Sequence, residues 1–279
     1  MKSGLHLGRW FGIDVVVHWT FLLLLAVLAG TQLLAGVSLG TVLGGLTLFC
    51  TVFLCVLLHE FGHALTARLF GIQTYDITLL PIGGLARLER IPRNPWQEFW
   101  IAIAGPAVNV AIVVVLIPFS AALSSISVLL STNMAAAGFV TQLISINVVL
   151  VLFNLLPAFP MDGGRVLRAV LAMFLPYARA TQIAAACGQV MAVLFGIVGF
   201  FTNWMLILVA FFVYFAARSE ARHVQMSYLP VDTPERYPQL TRGVDYLPLH
   251  ERTIRTPNGT LWVVWVGNDA PHTGYRHPS

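Results

Sequence analysis

The chain has 279 residues, of which 57% are hydrophobic and only 10% charged, with a formal net charge of +4. A chain of this length that is so apolar and so poor in charge is not one soluble domain, and it reads as a polytopic membrane protein. The arginines stand outside the apolar runs and form no basic cluster, so the charge reports topology and no nucleic-acid partner is expected. Cys50, Cys55 and Cys187 all lie within apolar runs, where they read as small hydrophobes rather than as disulfides.

Apolar runs long enough to cross a bilayer fall near 15–36, 40–70, 99–121, 138–158, 181–201 and 203–217. The first is longer than a signal-peptide core and has no clear cleavage site, so it is expected to stay as an anchor. Val166 to Leu175 is too short to cross and reads as a re-entrant or interfacial helix. The connectors at 36–40, 121–138 and 201–203 hold no Lys or Arg, whereas Arg9, Arg68, Arg87, Arg90, Arg93, Arg165, Arg168, Arg179, Arg218 and Arg222 fall together on the other side of a six-span arrangement. The positive-inside rule makes that side cytoplasmic, with both termini there, in the plasma or inner membrane of the cell.

Between the second and third runs, Tyr75 to Leu80 and Leu85 to Leu88 flank Pro81-Ile82-Gly83-Gly84 and predict a short hairpin. Its open edge either pairs with an extended peptide or hugs the membrane without a partner. After Arg218 the composition turns polar, and Thr256-Pro257-Asn258-Gly259-Thr260 predicts a hairpin in a small cytoplasmic tail. His250, His272 and His277 in that tail show no ligand spacing. The expected fold is all-α: a polytopic helical membrane protein with about six transmembrane helices, a short membrane-associated β-hairpin and a small tail. The domains are then 1–218 in the membrane and 219–279 outside it.

The chemistry concentrates at His59-Glu60-Phe61-Gly62-His63, near the end of the second run. On a helix, positions i and i+4 share a face, so both imidazoles can meet one Zn²⁺ while Glu60 projects beside them to take a proton from a water. An ionisable residue deep in a span costs roughly 3 kcal/mol on insertion scales, so three within one turn need a compensating role, and a bound metal supplies one. Catalytic zinc usually takes a third protein ligand. The best candidate is Asp162, on the irregular stretch Asn154-Leu155-Leu156-Pro157-Ala158-Phe159-Pro160-Met161-Asp162-Gly163-Gly164. By itself Asp162 reads equally as the N-cap of the helix that follows; the two histidines favour the ligand. In the six-span arrangement His59, Glu60, Asn109 and Asn154 also fall at one depth near the cytoplasmic face, as a single shared site requires.

These residues resemble the site-2 protease family of intramembrane zinc metalloproteases. The resemblance rests on the histidine motif, on Gly105-Pro106-Ala107-Val108-Asn109 and on Asn154 through Gly164, in the expected order. The opening Gly8-Arg9-Trp10-Phe11-Gly12-Ile13-Asp14 with His18-Trp19 is similar to the six-span branch, so the likeness covers roughly residues 8–218. It implies that His59, His63 and Asp162 bind one catalytic Zn²⁺, that Glu60 is the general base, and that Asn154 helps hold the substrate or its oxyanion. Pro81 to Gly84 would correspond to the substrate-facing loop, with Gly83 and Gly84 in it, while Asn109 either contacts substrate or hydrogen-bonds between helices. Met161 stands where leucine is usual, a volume-conserving swap. The connectors leave no room for a PDZ domain, and the tail is too short for paired nucleotide-sensing domains. His18 reads as an interfacial residue beside Trp19 rather than a fourth ligand.

The expected activity is that of a zinc metalloendopeptidase cutting the transmembrane segment of a membrane-tethered regulatory protein, such as an anti-sigma factor, near the cytoplasmic face. A divalent-cation transporter is the alternative, since intramembrane His and Asp also mark ion pathways, but a transporter has no need of Glu60 as a base.

Overall fold

In a computed structural model, which describes residues 4–81, 83–90, 92, 94–129, 135–228, 251–255, 261–265 and 274–275, the N-terminal part of the chain is a sheet laid against a helical bundle. The strands are β1 (Gly4–Trp10), β2 (Ile13–His18), β3 (Thr74–Leu80) and β4 (Gly83–Leu88), in spatial order β1-β2-β3-β4. β1 and β2 are antiparallel, as are β3 and β4, whereas β2 runs parallel to β3. Parallel neighbours need a long crossover. Here it consists of two helices, α1 (Trp19–Leu34) and α2 (Leu39–Leu69).

The β3–β4 hairpin is the one expected from the sequence, but it belongs to a larger sheet. Val15, Val16 and Val17, expected to open the first span, lie instead in the buried inner strand β2. A short β-branched run fits a doubly covered strand as well as a helix, and periodicity cannot separate the two. The helix begins at Trp19, with His18 as its N-cap accepting from the Thr20 N–H at 3.4 Å. His18 is thus a cap. With 16 residues, α1 is about 24 Å long at 1.5 Å per residue, short of a ~30 Å hydrocarbon layer.

Among the described residues, five helices are long and apolar enough to cross a membrane: α2, α3 (Pro95–Leu129), α4 (Ala135–Asn154), α6 (Tyr177–Thr202) and α7 (Trp204–Tyr228). Between α4 and α6 lies the 11-residue α5 (Asp162–Ala172), the short helix expected there. The bundle is inside-out by the standard of a soluble protein. Val115, Phe200 and Phe201 are 68–79% exposed, while Glu98, Asn109 and Asn147 are fully buried. Outward apolar groups with polar ones between helices are the arrangement a bilayer selects.

The sheet packs on the end of α2 that carries the histidines. Ile13, Val15, Val17, Ile77 and Leu79 share a core with Leu57, Phe61 and Ala64. Trp10 stacks on the Phe61 ring at 6.5 Å, and Phe11 meets it edge-on at 5.7 Å. Phe61 thus ties the sheet to the motif helix.

Residues 225–279 form a separate unit, whose described part is an antiparallel sheet of β5 (Glu251–Arg255), β6 (Leu261–Trp265) and β7 (Gly274–Tyr275). β5 and β6 pair as the hairpin reading requires. The turn at 256–260 lies outside the described residues, as do His250, His272, His277, Ile82 and Arg93.

Candidate metal centre

His59 and His63 lie one turn apart on α2, both buried, with their rings 4.7 Å apart. Asp162 meets them from the first turn of α5. Its side chain does not cap that helix: the N-cap position is Met161, and it makes no side-chain capping bond. The carboxylate points instead at the histidines, with Oδ2 3.1 Å from His59 Nε2 and 3.2 Å from His63 Nε2, and the two Nε2 atoms are 3.1 Å apart. These side chains form the one cluster of potential metal ligands among the described residues.

The outer ring nitrogens fix what this triangle presents. His63 Nδ1–H donates to the main-chain carbonyl of Ile101 at 2.6 Å, and a carbonyl can only accept. His59 Nδ1–H donates to Asn109 Oδ1, also at 2.6 Å. In a neutral imidazole with Nδ1 protonated, Nε2 is a lone pair. Three lone-pair atoms therefore face one another at 3.1–3.2 Å with no proton of their own between them. That is unfavourable unless a cation sits among them. Tetrahedral zinc ligands with bonds of about 2.05 Å stand about 3.3 Å apart, so the triangle fits Zn²⁺ in both size and donor type.

Helix α3 can come this close to the motif because its contact residue is glycine. A Cβ at Gly105 would lie 2.5 Å from His63 Cε1 and 2.7 Å from His59 Nε2. Gly62 makes the reciprocal approach, where a Cβ would meet the Ala104 carbonyl oxygen at 2.8 Å. Pro106, inside α3, follows the first of these contacts.

Glu60, half-buried, projects from α2 toward strand β4. A Cβ on Gly84 would fall 2.5 Å from Glu60 Cγ and 3.1 Å from its Oε1, so only glycine lets the strand lie against the carboxylate. Gly83 has a φ of +136°, a conformation that favours glycine. β4 is also the last strand of its sheet, with no neighbouring strand on its outer side among the described residues.

The remaining sequence candidates divide. Asn154 is the last residue of α4, half-buried at the head of the irregular stretch leading to Asp162. Asn109 is fully buried and engaged on both sides, by His59 and through its Nδ2 by Asn147 Oδ1 at 2.8 Å. Asn147 and the Ile101 carbonyl were not singled out from sequence. An amide inside an apolar span was the available signal for Asn147; a main-chain carbonyl leaves none.

A second polar cluster braces α5. Arg168, 2% exposed, donates from Nε and Nη2 to Glu98 Oε1 at 2.8 and 2.5 Å and from Nη1 to Glu220 Oε1 at 2.5 Å, with Phe159 and Tyr177 rings against its guanidinium. Burial works against the charge of Arg168, but Glu98, Tyr177 and Glu220 outweigh it and raise its pKa. Arg165 adds a looser contact to Asp162, at 3.9 Å.

Comparison with known proteins agrees with this geometry. The model of peptidase family M50 matches residues 47–136 and 126–196, which include both histidines, Glu60 and Asp162. A zinc metalloprotease of Methanocaldococcus jannaschii is 37% identical over 227 residues, covering 81% of this chain and 63% of that protein. The stage IV sporulation protein FB of Bacillus subtilis is 30% identical over 148 residues, covering 52% of this chain and 48% of that protein. The chain spans between 45% and 63% of the length of the curated relatives it matches. Among solved structures, the site-2 protease from Methanocaldococcus jannaschii superposes with a TM-score of 0.55 at 34% identity, covering 82% of this chain and 98% of that one.

Proposed function

The chain belongs to peptidase family M50, the site-2 protease family, and from that premise we propose that it is a zinc endopeptidase cutting the membrane-spanning helix of another protein near the cytoplasmic face. The observation that carries this reading is the triangle of His59 Nε2, His63 Nε2 and Asp162 Oδ2, with Glu60, on the helix of the two histidines, turned toward the outer strand β4.

His59, His63 and Asp162 would hold one Zn²⁺. Bound there, the ion would supply Lewis acidity, polarising a peptide carbonyl and making a water easier to deprotonate. Glu60 takes the proton from that water and can return it to the leaving amine. The substrate must present its carbonyl, which a helix hides in its own hydrogen bonds. An unwound segment can recover those bonds by pairing along β4 at Gly83 and Gly84, which brings it beside Glu60. Asn154, at the end of α4, is assigned to hold the substrate or its oxyanion. The substrate class that fits is a single-span regulatory protein whose release from the membrane is the signal, and both termini of this chain are assigned to the cytoplasmic side.

The test compares zinc content and cleavage in purified, detergent-solubilised protein. His59→Ala, His63→Ala and Asp162→Ala are each expected to lose both. Glu60→Gln is nearly isosteric but takes no proton, so zinc should stay while cleavage of a helical membrane substrate falls by about 10²–10⁴. Undiminished cleavage in Glu60→Gln would remove the proposed base, whereas zinc binding by the wild-type chain with no cleavage of a helical membrane substrate would reopen cation transport as the role of the site.

A further inference from the structure

His59 is held by more than its immediate partner. Asn147, fully buried on α4, donates from Nδ2 to the main-chain carbonyl of Leu143 at 2.8 Å and lies 3.5 Å from Cys55 Sγ. A main-chain carbonyl can only accept, so this contact fixes which end of the Asn147 amide is nitrogen and leaves Oδ1 facing Asn109. Asn109 must then turn its own Nδ2 to Asn147, at 2.8 Å, and its Oδ1 to His59, at 2.6 Å. An oxygen at that position demands a proton on His59 Nδ1 and leaves Nε2 bare. Each step follows from the one before it, beginning at a backbone atom that cannot reverse.

From this chain of bonds we infer that Asn147 is a positioning residue for the metal centre. Through Asn109 it sets the tautomer of His59, so that α4 decides whether the histidine on α2 can act as a ligand. The inference rests on the proposed zinc site and adds to it a residue that touches neither metal nor substrate. Without Asn147 the Asn109 amide is free to turn over and accept nothing from His59 Nδ1. The imidazole proton then moves to Nε2, where it blocks the ligand position. His63 is not exposed to this failure, because its Nδ1 donates directly to a backbone carbonyl.

The experiment measures zinc affinity by chelator competition on the purified full chain, alongside metal content. Asn147→Leu is close in volume but has neither donor nor acceptor, and it should weaken zinc binding by about 10–100-fold, the usual effect of losing an outer-shell partner. Asn109→Asp places an acceptor-only carboxylate against His59, which cannot present a donor whichever way it turns. Asn147→Leu made in the Asn109→Asp background should therefore cost no more than about threefold in zinc affinity relative to Asn109→Asp alone. A residue that merely filled space would cost the same in both backgrounds. Should Asn147→Leu fail to fold, Asn147→Ala carries the test: it removes the same donor and acceptor without adding bulk, and the same loss of zinc affinity is expected. Unchanged affinity in Asn147→Leu or Asn147→Ala, or a cost in the Asn109→Asp background as large as in the wild type, overturns the inference while leaving the zinc reading in place. A wild-type chain that takes up no zinc overturns both.

Discussion

At the scale of single residues, the site is shaped by what is missing as much as by what is present. Gly105 and Gly84 leave room for the imidazoles and for Glu60 respectively, and the consequences of filling each space differ. Gly105→Ala drives a methyl into both imidazoles and should lower zinc affinity, with a stability loss of about 1–3 kcal/mol from overpacking. Gly84→Ala pushes on Glu60 and on the strand edge but on no ligand. Zinc content should hold while cleavage falls, measured as the ratio of turnover to bound metal. Loss of zinc in Gly84→Ala, or full zinc affinity in Gly105→Ala, would mean that the helices yield where the packing says they cannot.

At the scale of elements, the question is what keeps α5 where Asp162 needs it. The helix is short, and Arg168 ties it to α3 through Glu98 and to α7 through Glu220. Arg168→Met should cost about 3–5 kcal/mol, because it abandons Glu98 as a buried charge with no partner. Adding Glu98→Gln should recover much of that loss. The comparison is read from the thermal midpoints of the purified variants, and additive losses in the double variant would show that the two residues do not act as a pair. The same elements show what the sequence could and could not reveal. The histidine pair, Glu60 and Asp162 were legible because ionisable groups stand out against apolar spans, and the Pro81–Gly84 turn because glycine and proline punctuate. Strand β2 was not, since Val15–Val17 continues without a break into an apolar helix. The Arg168 clamp was not, because an arginine near a span end reads first as a topology signal. Asn109 was noticed and left between two roles, which only its contacts with His59 and Asn147 separate.

For the molecule as a whole, the arginine asymmetry yields an independent prediction. Reporters fused after residues 38 or 130 should read as external and those after 93 or 222 as cytoplasmic; an external signal at 93 would break the six-span arrangement, and α1 is the element it would put in question. Removal of residues 229–279 should leave zinc content unchanged, because His59, His63, Asp162 and the residues of the Arg168 clamp all precede that segment, while altering which substrates are cut. The parallel pairing of β2 with β3 adds an order in time. The strand that faces Glu60 joins a sheet whose first two strands are made before α1 and α2, and whose last two are made after them. In chain order both histidines and Glu60 therefore precede β4, and Asp162 comes later still. A chain that ended before α5 would carry His59 and His63 without Asp162, so the proposed zinc site cannot close until synthesis has passed α5.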